Sequence, residues 1–151
     1  MNSSLLIEGM NGWFGAGGNG FFVTLNGITK DLIQFESDLI KFSKHLNEYC
    51  YGRSFINGSK RLMIGGGIEI GQLNQMLHSH LIIKWDICMK RSINDVNYQI
   101  RKKWYRILNQ SNIYGNMVNV DDINIIETRI SYALKDTQYW LRNNTSNLVI
   151  L

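Results

Sequence analysis

The sequence predicts an α+β fold in which helices pack on an antiparallel sheet. Short segments rich in β-branched and aromatic residues alternate with longer segments that carry apolar residues at steps of three and four. Two of the strand-like segments follow each other directly, as the arms of a hairpin do. The resulting order is strand, helix, strand, strand, helix, short strand, helix, which is typical of ferredoxin-like and RNA-recognition-type sheets.

The composition fits one folded domain. The chain has 151 residues, of which 44% are hydrophobic and 19% charged, so it can bury a core. A net charge of +4 permits a phosphate-bearing partner without requiring one. No apolar run spans a membrane and no secretion signal is recognisable. Cys50 and Cys88 form no CxxC motif, so we expect buried free thiols and a cytoplasmic protein.

The chain divides into a lead-in, a domain and a tail. Residues 1–20 are rich in glycine and precede a strand rather than a helix, which disfavours a phosphate-binding loop and predicts a flexible lead-in. Residues 21–142 form the domain. Residues 143–151 are expected to be a frayed tail or an edge strand.

The first strand and helix follow from local signals. Residues 21–25 are aromatic and β-branched, and Asn26-Gly27 signals a turn. Thr29 is the expected N-cap of the next helix, with Asp31 in its first turn. This helix is expected to end near Cys50, and its buried stripe consists of Leu32, Phe35, Leu39, Phe42 and Leu46.

The hairpin carries the strongest chemical signal. Its arms are residues 61–70 and 76–83, joined by a turn at 71–74. Because side chains alternate along a strand, His78 and His80 point to the same face, and the turn returns Glu69 to their side. Two imidazoles and a carboxylate suit divalent metals that handle phosphates. The alternative, that both histidines are ordinary strand residues, stays open.

The second long helix, residues 93–108, combines cations with aromatic rings. Ser92 and Asp95 resemble a capping box, and the core side includes Val96, Ile100 and Ile107. Cations beside aromatic rings indicate either a solvated face or a surface for single-stranded nucleic acid. The candidate DNA-binding residues are Arg101, Lys102, Lys103, Trp104 and Arg106.

The last segments complete the sheet and one more helix. Residues 117–120 are a candidate short strand. Asp121 or Asp122 is the expected cap of a helix that runs to about Arg142. Arg129, Tyr132 and Tyr139 share one face of this helix, next to its buried side.

Three short motifs occur in order along residues 21–142: Phe-Val-Thr-Leu at 22–25, Glu69 with His78-Ser79-His80, and Tyr132-Ala-Leu-Lys135. With them the chain resembles the HUH (His-hydrophobe-His) endonucleases, in particular the rolling-circle replication initiators of filamentous-phage and prophage type. One position departs from the pattern, because Ser79 stands where a bulky hydrophobe is usual.

The resemblance implies a specific chemistry. Tyr132 would attack a phosphodiester of single-stranded DNA, leaving a 5′-phosphotyrosine and a 3′-hydroxyl that primes replication, with Lys135 as electrostatic partner or proton shuttle. Glu69, His78 and His80 would hold Mn²⁺ or Mg²⁺. Whether Tyr139 is a second nucleophile stays open. The implied partners are an origin or hairpin single strand and a host helicase, with a protein that is monomeric in solution and has no membrane partner.

Two rival interpretations remain. Single-strand transposases and relaxases use the same chemistry, but the transposases tend to place a glutamine near the tyrosine, and Gln138 lies at the wrong offset. A binding module that grips nucleic acid through residues 101–106 predicts salt-sensitive binding without metal dependence or cleavage. Such a module has no need for Glu69 beside two histidines, because a carboxylate repels phosphate unless a cation lies between them.

Overall fold

The computed structural model describes residues 3–15, 18–71, 73–86, 89, 91–111, 115–134 and 148–151. The strands are β1 (Gly20–Asn26), β2 (Ile64–Ile70), β3 (Leu77–Lys84), β4 (Val118–Ile123) and β5 (Leu148–Ile150). The helices are α1 (Ser3–Phe14), α2 (Leu32–Tyr51), α3 (Arg53–Ile56), α4 (Ile93–Ile107) and α5 (Glu127–Ala133). The strands form one antiparallel sheet in the order β4-β1-β3-β2-β5, which confirms the predicted α+β class.

The back face of the sheet, as we name the side covered by α2 and α4, is mainly apolar. Alternate residues of β1 and β3 point to it, and they pack on the apolar stripes of both helices. This cluster of completely or almost completely buried side chains includes Phe21, Val23, Leu25, Leu81, Ile83, Phe35, Leu39, Phe42, Val96, Ile100 and Trp104. The back face therefore supplies most of the buried apolar surface that stabilises the fold.

The front face is the side to which the intervening residues of the same strands point. At one end, Phe22 and Ile82 are buried beneath α1 and α5. The helices contribute Met10, Phe14, Ile130 and Ala133 to this second apolar cluster, and the N-cap residue of α5, Ile126, belongs to it as well. At the other end the same strands carry polar side chains, since β1 continues with Thr24 and Asn26 and β3 begins with His78 and His80. The back face of the sheet is thus mainly apolar, whereas the front face has an apolar end beneath α1 and α5 and a polar end with the histidines.

The predicted flexible lead-in is wrong for Ser3–Phe14, which is the helix α1. Met10 and Phe14 of this helix are buried against the front face. Gly65 of β2 allows the close approach, because a Cβ atom there would lie 2.7 Å from the Met10 Cε atom. Burial of two large apolar side chains outweighs the cost of glycines within a helix, about 1 kcal/mol each.

Some element ends also differ from the predictions. Asp31, not Thr29, caps α2, and the Thr29 hydroxyl accepts a hydrogen bond from the Asp31 amide instead. Asp121 and Asp122 lie within β4 and cap no helix. The predicted Ser92 cap of α4 is confirmed. β5 pairs with β2 at the sheet edge, which is the edge-strand alternative for the tail.

The remaining sequence expectations concern the cysteines and the membrane. Cys50 is a free thiol, and burial raises its pKa to about 12. Cys88 lies outside the described residues. None of the described helices combines the length and apolar character that a bilayer crossing requires.

Candidate metal centre

The register of the β2–β3 hairpin brings together the three residues predicted as metal ligands. Glu69 of β2 lies directly opposite His78 of β3, and His80 follows two residues later on the same face. All three side chains lie at the polar end of the front face. The prediction that strand alternation gathers them is therefore confirmed.

The distances within this group suit a shared ion. The Glu69 Oε2 atom lies 2.8 Å from His78 Nε2 and 3.3 Å from His80 Nε2, and the candidate ligand atoms all lie within 4.8 Å of one another. Glu69 is 3% exposed and His80 is 7% exposed, whereas His78 is partly exposed. A buried carboxylate is costly unless polar partners or a cation compensate it. The group can therefore bind a metal ion.

Thr24 orients one of the two imidazoles. Its Oγ1 atom lies 3.0 Å from His80 Nδ1. When Nδ1 carries the proton, it donates to the Thr24 hydroxyl and leaves the Nε2 lone pair directed at Glu69. Histidines that bind metals are commonly held in this way through their second ring nitrogen. This role of Thr24 was not predicted from the sequence, although a polar residue within an apolar strand was a usable signal.

Tyr132 of α5 lies over this group. Its ring centroid is 5.2 Å from that of His80 and 5.6 Å from that of Phe22. Phe22 in turn stacks on His80, with centroids 5.5 Å apart and an angle of 17° between the planes. Tyr132 is 46% exposed, so its ring also contacts solvent. A tyrosine far away in sequence thus lies beside the Glu-His-His group.

A cation lies one helical turn before the tyrosine. The guanidinium of Arg129 is 5.5 Å from the Phe22 ring centroid, within the range of a cation–π contact. Arg129 is exposed, so it remains accessible to an anion. Its position on the same helical face as Tyr132 was expected from the sequence, but a function for it was not. Two further residues from the predicted catalytic helix lie outside the described residues. They are Lys135, the expected electrostatic partner or proton shuttle, and Tyr139, the possible second nucleophile.

The basic helix α4 lies on the opposite face of the sheet from Glu69 and the histidines. Trp104 is completely buried, and its indole Nε1 donates to the Asn26 carbonyl over 2.9 Å. It cannot stack on a base, so its predicted DNA contact is wrong. Its position among cations in the sequence had suggested a surface ring. Arg101 donates to the Val118 carbonyl and so also supports the fold.

The other cations of α4 form a group of like charges. Partial burial lowers the pKa of Lys103, and the neighbouring Arg106 and Lys102 lower it further. Lys103 and Arg106 line a small cavity together with Lys41 and His45 of α2. The DNA contacts expected of Lys102, Lys103 and Arg106 stay predictions.

Comparison of the chain with protein-family models, with curated proteins and with solved structures finds no match.

Proposed function

We propose that this protein is a metal-dependent endonuclease of the HUH type that cuts and rejoins single-stranded DNA through a tyrosine. The observation that carries the proposal is the 5.2 Å separation of the Tyr132 and His80 rings. Tyrosines on helices and histidines on strands are common separately. Here a half-exposed tyrosine lies beside a largely buried Glu-His-His group, so a potential nucleophile and a candidate metal site are neighbours, as transfer of a phosphate to a phenol requires.

The donor set supports a divalent ion as cofactor. Two imidazole nitrogens and one carboxylate oxygen favour Mn²⁺ over Mg²⁺ where both are available. Bound there, such an ion would polarise the scissile phosphate and offset the charge that develops in the transition state. Thr24 would keep the His80 imidazole in the tautomer that offers Nε2.

The side chains of the chain itself would carry the transfer. The phenol oxygen of Tyr132 forms a bond to phosphorus, and the bond from phosphorus to the 3′ oxygen breaks. The phenol proton passes to water, and the departing 3′ oxygen takes up a proton to become a hydroxyl. Arg129 would attract the phosphate, and Lys135 would act as electrostatic partner or proton shuttle. Because the phosphotyrosine retains the energy of the phosphodiester, the reverse reaction rejoins the strand without ATP.

The biological role that fits best is initiation of rolling-circle replication in a plasmid or phage. The Tyr-x-x-Lys spacing of Tyr132 and Lys135 favours it over a transposase or relaxase. The binding-module alternative depends on residues 101–106. It is weakened because Trp104 and Arg101 are engaged within the fold.

A covalent-adduct assay tests the proposal. The protein is mixed with single-stranded DNA of mixed sequence, including hairpins, and Mn²⁺, and the products are separated on a denaturing gel. We expect a protein–DNA species that disappears with a chelator and in Tyr132→Phe. Tyr98→Phe is the matched control, because Tyr98 is similarly exposed but lies on α4.

Two outcomes would contradict the proposal as stated. An adduct that persists in Tyr132→Phe and disappears in Tyr139→Phe would move the nucleophile to Tyr139. The absence of any adduct across a fully randomised pool of single strands would reject the nuclease.

A further inference from the structure

A polar cleft lies at the end of the sheet, directly beyond the candidate metal centre. Its volume is about 560 Å³, within the range of small-ligand sites. The end of β1, the turn between β2 and β3, and the segment before β4 form its walls. Its lining includes Asn26, Asn74, Asn116, Leu73, Met76 and His78.

His78 belongs both to this cleft and to the Glu-His-His group. It is also the most exposed of the three candidate ligands, whereas Glu69 and His80 are buried. Asn26 of β1 lies directly opposite His78 of β3, and both residues line the cleft. The cleft is therefore adjacent to the Glu-His-His group. A molecule that approaches the ligand atoms on the His78 side therefore lies next to the cleft.

Apart from His78, the polar side chains among the described lining residues are amides. The Asn26 side chain donates to the Asn116 carbonyl over 3.0 Å, and the Asn74 side chain accepts from the Met76 amide over 3.0 Å. An asparagine amide offers two donor hydrogens and an acceptor oxygen, so each of these side chains retains capacity for a further partner. Among the described residues that line the cleft there is no lysine or arginine, so these residues offer no cation to a phosphate.

The apolar lining complements the amides. The Leu73 side chain is completely exposed at the turn between β2 and β3, and Met76, just before β3, also lines the cleft. Apolar side chains at such positions pack against the faces of unstacked bases, while asparagine amides pair with base edges. Amide groups together with an exposed leucine therefore match a nucleobase.

We propose that this cleft binds one unstacked base of the single strand, on the nucleotide next to the scissile phosphate, and so selects the sequence at which the strand is cut. This inference rests on the proposed function for the identity of the strand and for the position of the cut. The cations that hold the phosphates would lie outside the cleft, as Arg129 does on α5.

Selection from a random pool tests the inference. Tyr132→Phe protein, which cannot react in the proposed mechanism, is mixed with Mn²⁺ and a randomised single-stranded DNA pool, and the bound strands are sequenced. We expect a base preference of about tenfold or more at one position. Adding Asn116→Ala and Leu73→Ala should abolish the preference at that position only. The Asn116 substitution leaves its backbone carbonyl available to Asn26.

The matched control adds Asn94→Ala and Ile33→Ala, which remove an exposed asparagine and an exposed isoleucine from the helices of the back face. This control should keep the full preference. An unchanged preference in the cleft variant, or a pool without base preference in the parent protein, would overturn the inference.

A second arm separates this inference from the proposed function. Wild-type protein is mixed with the selected strands and Mn²⁺, and adducts are scored on a denaturing gel. A preference lost only in the cleft variant, without any adduct on those strands, would keep the base-binding cleft and reject the nuclease. An adduct combined with a preference that the cleft variant retains would keep the nuclease and reject the cleft.

Discussion

The two faces of the sheet are built from the same strands and serve different purposes. Along β1, Phe21, Val23 and Leu25 point into the apolar core of the back face. The alternating residues Phe22, Thr24 and Asn26 point to the front face. There Phe22 contacts Tyr132, Thr24 contacts His80, and Asn26 contacts Asn116. Because the side-chain period of a strand is two residues, one strand can supply a core and a polar site at once.

This difference implies that substitutions on the two faces have separable effects. Back-face substitutions should change the free energy of unfolding. Front-face substitutions at the polar end should change metal binding and leave the core intact.

Trp104→Ala should lower the free energy of unfolding by about 3–5 kcal/mol. The indole ring is completely buried edge-on against Phe35 and Phe42, and its loss also leaves the Asn26 carbonyl without this donor. Denaturant unfolding measures the change, with Tyr98→Ala, an exposed aromatic on the same helix, as the control. A loss of less than about 1 kcal/mol would mean that the back face is not the main source of stability.

Glu69→Gln should abolish stabilisation by Mn²⁺. At a metal concentration of 100 times Kd, the wild type gains about 2.7 kcal/mol by mass action, and the variant should gain almost nothing. Thermal unfolding with and without Mn²⁺ measures the gain. The control is Glu48→Gln, which alters a glutamate beside a histidine on α2 and should leave the gain unchanged. Equal stabilisation of both variants would exclude Glu69 as a ligand.

Thr24→Val should weaken Mn²⁺ binding by about 10- to 100-fold. Valine has nearly the shape of threonine but cannot accept the hydrogen bond from His80 Nδ1. Thr24→Ser retains the hydroxyl and should recover most of the affinity. Calorimetric titration with Mn²⁺ distinguishes the two variants. If both bind the ion as the wild type does, Thr24 has no role in positioning the imidazole.

Ser79→Ala should raise the free energy of unfolding by about 1 kcal/mol and leave Mn²⁺ binding unchanged. Ser79 lies between the two histidines in sequence but points to the back face. It is completely buried there, and its hydroxyl has no hydrogen-bond partner among the described residues. The control is Ser43→Ala, since the buried Ser43 hydroxyl accepts from Asn47 and its loss should give no gain. Destabilisation by Ser79→Ala would show that the hydroxyl has a favourable partner.

The parts of the site that strand alternation determines could be predicted from the sequence. Glu69, His78 and His80 belong to one hairpin, so their meeting depends only on local register. The contact between Thr24 and His80 joins residues 56 positions apart, and no local pattern specifies which strands become neighbours. The position of Tyr132 was expected only through the resemblance to a known family.

The two wrong predictions, a DNA contact for Trp104 and a flexible lead-in at Ser3–Phe14, have physical reasons as well. Trp104 continues a stripe of Val96 and Ile100 at steps of four, which indicates a core position, but its charged neighbours suggested a surface. The helix α1 depends on the apolar cluster that Met10 and Phe14 join, and most members of this cluster, such as Ile82 and Ile130, lie far from α1 in sequence. Glycine-rich segments have weak helix propensity, so only tertiary packing could reveal this helix.

The proposal that Tyr132 is the nucleophile is tested most directly by identifying the amino acid that becomes linked to the DNA. After reaction with single-stranded DNA and Mn²⁺, the protein is digested with nuclease and trypsin, and the peptides are analysed by mass spectrometry. Cleavage after Arg129, Lys135 and Arg142 separates Tyr132, in peptide 130–135, from Tyr139, in peptide 136–142. We expect a nucleotide on peptide 130–135, and its attachment should require Mn²⁺. A nucleotide on peptide 136–142, or on neither peptide, would contradict it.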